Sequence, residues 1–186
     1  GKMSNQTTIQ KGNTIIFGSG KFEISEDGIN WEDLGAMNGI VFKESWEEVV
    51  VDSDNAGRIK VGIKNHEATL SGDMLVIDLE KIATIRGGID SYSKVEGISE
   101  TLKSGGITTI NSIQARVTNV DEYDREFRIT IYKASNSKGI ELAFNPDSAD
   151  EANSVNIELK GTCDVTKNAG EQLFEIYSER GESVAS

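Results

Sequence analysis

Proline, cysteine and histidine each occur once in the 186 residues, and aromatic side chains make up only 6%. Each scarcity excludes something. With Cys163 as the sole thiol, no intrachain disulfide can form, and a reducing compartment fits. A Ser-His-Asp or Cys-His catalytic site would have to use His66. Zinc-type metal sites need several His and Cys ligands, and the chain offers one of each. His66, between Asn65 and Glu67, reads as an ordinary polar strand residue, and Cys163, after Gly161-Thr162, as a small buried one. No apolar run approaches the roughly 18–20 residues of a membrane span. No basic-then-apolar leader opens the sequence, and Gly1-Lys2 ahead of Met3 reads as an expression scar. One proline beside 19 glycines favours strands and sharp turns over a proline-rich linker.

What the chain has in excess is negative charge: 31 Asp and Glu against 19 Lys and Arg, a net of −12. Such a surface keeps a protein soluble. It does not grip nucleic acid, because phosphate binding needs Lys and Arg to release counterions. It could serve as a non-stick lining past which DNA slides. Gly18-Ser19-Gly20 lacks the remaining glycines and the Lys-Ser/Thr of a phosphate loop and reads as a bend. The acidic turns with Asp121, Glu122 and Asp124, and with Asp147, Asp150 and Glu151, hold calcium-type oxygens without EF-hand spacing, and read as solvated turns. Trp31 and Trp46 sit among carboxylates, which suits core or subunit-interface packing over base stacking.

Periodicity is that of strands. Phe22 and Ile24 alternate with charged residues, and Asp27-Gly28 turns the chain toward Trp31 and Leu34. Residues 40–52 read as one long strand with interleaved carboxylates, and 53–57 as a turn. Ile59, Val61 and Ile63 alternate with Lys60, Gly62 and Lys64. After Asn65 the register shifts, and Ala68 and Leu70 carry the apolar face. The extended chain then continues through Ile77. Asp78, Glu80, the apolar spacing of Leu79, Ile82 and Ala83, and Gly87-Gly88 predict one helix over about 79–86. Residues 91–112, rich in Ser, Gly and Thr, predict a long surface loop. Further alternating runs predict strands: 113–117, 127–131, 140–144, 155–159 and 173–177. The expected architecture is mainly β: a sandwich or barrel with one flanking helix and long loops. A flexible arm is expected at 1–14, a single domain at 15–178 and a polar tail at 179–186.

The segments FGSGKFEIS, EDGINWEDLG, GIVFKESWEEVVVDSDNAGRIK and HEATLSGDMLVIDLEKIATIRGGID, from Phe17 to Asp90, resemble the major tail tube proteins of long-tailed (siphovirus-type) bacteriophages and prophages. RITIYKA, IELAF and VNIELKG in the second half are compatible with them. The resemblance implies a non-enzymatic structural subunit, without cofactor or metal. It would polymerise as stacked, usually hexameric, rings in the virion tail, after assembly in the bacterial cytoplasm. Its partners would be further copies of itself, the tape measure protein, and tail tip and terminator proteins. DNA would pass without specific binding, and no membrane would be involved. Two site expectations follow. Glu44 and Glu48 share one strand face, joined by Asp52 if the strand stays regular, and are candidates for an acidic lumen, with Glu47 pointing the other way. Ser53, Asp54, Asn55, Ala56 and Gly57, with flanking strands 46–52 and 58–64, are candidates for contacts between rings. The competing expectation is a monomeric β-sandwich binding or adhesion module of a tail tip or cell surface.

Overall fold

The computed structural model describes residues 10–18, 20–53, 57, 59–143 and 153–180. These form twelve strands and one helix: β1 (Gln10–Gly18), β2 (Lys21–Ser25), β3 (Glu32–Asp33), β4 (Met37–Ser53), β5 (Ile59–Met74), α1 (Leu79–Ile85), β6 (Asp90–Val95), β7 (Ser99–Ser104), β8 (Ile113–Val120), β9 (Glu126–Asn136), β10 (Glu141–Ala143), β11 (Ser154–Gly161) and β12 (Phe174–Ser178). The fold is mainly β, as the alternation predicts. One ten-stranded sheet runs β1-β4-β5-β11-β9-β8-β2-β3, with β10 added to β11 and β12 to β9.

The sheet closes over a single apolar core. Phe22 and Ile24 of β2, Ile40 and Phe42 of β4, Leu70 of β5, Ile129 and Ile131 of β9 and Leu159 of β11 are all essentially inaccessible to solvent. Phe42 meets Phe174 of β12 edge to face at 5.1 Å between ring centres, which packs β12 against β4 across the core. At Gly161 a Cβ would run into Ile131, so β11 can cross from β5 to β9 only with glycine there.

The helix is set as its caps dictate. Asp78 accepts the backbone N–H groups of Glu80 and Lys81, each at 3.1 Å, and Gly87 follows with φ 73°. Ile82 and Ile85 face the core, while Arg86 turns away to hold Asp90 at 2.6 Å. The buried side of α1 is therefore Ile82 with Ile85, while Leu79 and Ala83 of the expected apolar set are half-buried.

Three expectations change. Residues 90–104 are a regular hairpin, β6–β7, rather than loop, with Tyr92 opposite Leu102 and Lys94 opposite Glu100. Its residues are mostly exposed on both faces, so burial imposes no alternation and the periodic signal is missing. Residues 10–14, expected within a flexible arm, pair with β4 from Gln10↔Glu47 to Thr14↔Lys43. Regular pairing of β5 ends at Met74, with no strand at 75–77.

Candidate functional site: the β4–β5 ribbon and the groove at its root

β4 and β5 are longer than the core they cover. Among the described residues, β1 accompanies β4 as far as Glu47 and β11 accompanies β5 from Ala68 to Met74. Beyond those points, among the described residues, 48–53 and 59–63 pair solely with each other, as a two-stranded ribbon with no third strand at either edge. Val50, Val51, Ile59, Val61 and Ile63 on this ribbon are each 49–65% exposed. The alternation of Ile59, Val61 and Ile63 predicts a strand correctly, but the side chains it aligns stand beyond the core.

Two bulges decide which way these side chains face. Ser45 pairs with Glu67 but Glu47 with Lys64, so β5 carries an extra residue there, and Asn65 takes a left-handed φ of 52°. Asn65 is also held by its side-chain amide, which donates to Glu47 at 2.8 Å. Before the bulge the even-numbered residues Leu70, Ala68 and His66 face the core side; after it the odd-numbered Ile63, Val61 and Ile59 do. Lysines 60 and 64 are thereby sent to the opposite face, where Lys64 approaches Glu47 at 3.7 Å. The second bulge inserts Val51, because Val50 pairs with Val61 and Asp52 with Lys60. Val51 lies across position 62, where any Cβ would collide with it, so only glycine fits.

At the ribbon's root, His66 Nε2 lies 2.6 Å from a carboxylate oxygen of Glu44. Both side chains are largely shielded, at 26% and 13% exposure. The His66 ring stands edge-on to Trp46 at 5.7 Å and to Phe174 at 6.4 Å. These rings close one end of a groove of about 540 Å³ between β5 and the segment leading into β12. Ile63, Leu173, Phe174 and Cys163 form its walls. The groove lies on the core-side face, so its apolar surface runs without a break into the apolar face of the ribbon through Ile63.

The three lumen candidates are dispersed by the same geometry. Glu44 and Glu48 do share the core-side face, but Glu44 is engaged by His66. The second bulge turns Asp52 to the opposite face, beside Lys60, since the strand does not stay regular. Of the ring-contact candidates, Ser53 ends β4 and Gly57 is exposed with φ 82°, while Asp54, Asn55 and Ala56 lie outside the described residues.

Trp31 is half-buried and lies outside the apolar core, so the expectation of core packing does not hold for it. The Arg116 guanidinium lies 4.0 Å over its ring and donates to Glu23 at 2.9 Å. Glu23 is a buried carboxylate, its side chain 8% exposed. A second cavity, about 390 Å³, opens between α1 and β6, with Glu26, Glu80, Thr84 and Tyr92 among its walls. Tyr92 donates to Glu100 at 2.6 Å, and that bond pushes its hydroxyl up to about 12. Among the described residues no three His, Cys, Asp or Glu side chains converge to hold a metal ion, and no helix is long and apolar enough to cross a membrane. No protein-family model matches this chain, and no match is found among the curated proteins.

The groove could not be read from the sequence. His66 and Phe174 are more than a hundred positions apart, and only the closure of the sheet brings them together. The one local signal was the change of phase at Asn65.

Proposed function

We propose that this chain is a structural subunit that polymerises through its strands into stacked, hexameric rings, as the tube of a long-tailed phage, enclosing a channel for tape measure protein and DNA. The observation that supports this reading best is the β4–β5 ribbon. Among the described residues it reaches past the core with no third strand beside it, and it carries a row of exposed valines and isoleucines. A monomer gains nothing from such an element, which invites pairing and carries apolar surface into water. In an assembly, neighbours cover the apolar face and satisfy the open backbone groups. The net charge of −12 is compatible with a wall that repels phosphate.

The test is concentration. Light scattering and negative-stain microscopy of the purified chain, from dilute to concentrated, are expected to pass from monomer to rings and tubes. Scattering of a monomer at every concentration and salt would refute the assignment.

A further inference from the structure

We infer that the groove between β5 and β12 is the receptor for the β4–β5 ribbon of a second copy, a head-to-tail contact in which each subunit offers a ribbon to one neighbour and a groove to another. The inference rests on the proposed self-assembly and names the two surfaces that meet.

The occupant is deduced from shape first. The groove is flanked by two strand edges without partners among the described residues, residues 59–67 of β5 and the outer edge of β12. A slot between open edges suits an extended chain, whose side chains project every second residue and whose backbone groups can pair. The subunit's own ribbon cannot fill it. Ile63 already forms part of the wall, and from there β5 runs on outward paired with β4 as far as Ile59. The Val50–Val61 pair and Ile59 are carried beyond it by about 3.3 Å per residue.

Chemistry selects the same occupant. The groove's walls are mainly apolar and include no carboxylate. On the ribbon's core-side face, Val50, Val61 and Ile59 follow Ile63 outward, and Glu48 is the only charged residue among them. The ribbon as described carries Glu47, Glu48 and Asp52 against Lys60 and Lys64, which is close to neutral within a chain of net charge −12. It is therefore a part of this acidic molecule that can approach another copy with little repulsion. Because the ribbon and the groove are different patches, the contact is heterologous, the type that closes rings or extends filaments.

The protein carries its own reporter, since Cys163 lines the groove and is the only thiol. Val50→Cys, Ile59→Cys and Val61→Cys would be made singly and oxidised at concentrations that scatter light. At least one is expected to give a disulfide to Cys163 of another copy, mapped by peptide mass spectrometry, with covalent oligomers extending beyond the dimer. In the unaltered chain, alkylation of Cys163 is expected to slow at least tenfold on assembly. Assembly with no link to Cys163 and unchanged alkylation would overturn the groove assignment and leave self-assembly standing. Links solely between the introduced cysteines, stopping at dimers, would replace it with a two-fold ribbon contact. Absence of both assembly and linkage would overturn this inference together with the proposed function.

Discussion

Replacing Val50 and Val61 together by threonine separates the ribbon's proposed role in assembly from any role in folding. The two residues face each other across β4 and β5, and threonine keeps both the branched shape and the strand preference. They are 49% and 57% exposed, so about half of each side chain remains to be buried by a neighbour. Complete burial of a valine contributes roughly 1.5–3 kcal/mol, so half corresponds to about 1 kcal/mol each, or about 2 kcal/mol for the pair. At 1.4 kcal/mol per factor of ten, the critical concentration for assembly is expected to rise about thirtyfold. The monomer's melting point should hardly move, since exposed substitutions of this kind stay within about 0.5 kcal/mol. Sedimentation across a dilution series gives the first quantity and circular dichroism the second. An unchanged critical concentration would show that the apolar face of the ribbon is not covered in the assembly. A large loss of melting temperature would show that it belongs to the fold.

Two further expectations concern the domain itself. Arg116→Ala leaves the buried Glu23 carboxylate with only the exposed Lys21, 3.6 Å away, and strips the cover from Trp31. A loss of about 3 kcal/mol, or roughly 6–12 °C in melting temperature, is expected from thermal denaturation, and a loss below 1 kcal/mol would refute the pairing. Asp27 accepts the backbone N–H groups of Asn30 and Ile29, which hold its carboxyl well below the usual carboxylate range. A depressed carboxyl stabilises above its unfolded value and loses that contribution as pH falls through its folded one. Asp27→Ala should therefore melt below the parent at pH 7, with the gap closing as pH drops below about 4. A gap constant down to pH 2 would refute the account.

How far the sequence carries depends on whether a residue's partner is local. The strands around Ile129 and Leu159 announce themselves, because one face of each is buried and burial enforces alternation. The helix is legible because Asp78 and Gly87 act within one turn of it. The β6–β7 hairpin is hidden, because a ribbon with little burial leaves composition free to look like loop. Strand alternation also puts Glu44 and Glu48 on one face, but says nothing of His66, which reaches Glu44 from 22 positions away. Asp52 fails for a different reason. Parity counting assumes an unbroken ladder, and the insertion of Val51 after Val50 breaks it.

The bulge at Asn65 makes the character of the ribbon a matter of length rather than of composition. A strand has two phases, and one residue is the difference between them. Deleting Asn65 would leave the side chains of the outer half of β5 in place and exchange their sides, while Val50 and Glu48 of β4 keep theirs. Ile59, Val61 and Ile63 would join Glu47 on the far surface, and Lys60 and Lys64 would come round to the side that carries Phe174 and the groove. The apolar side of β5 would become a lysine-bearing one through an edit that a residue-by-residue comparison of side chains would hardly register. A one-residue change of length at the base of this hairpin therefore decides which chemistry each of its faces presents, while substitutions along it adjust only how much.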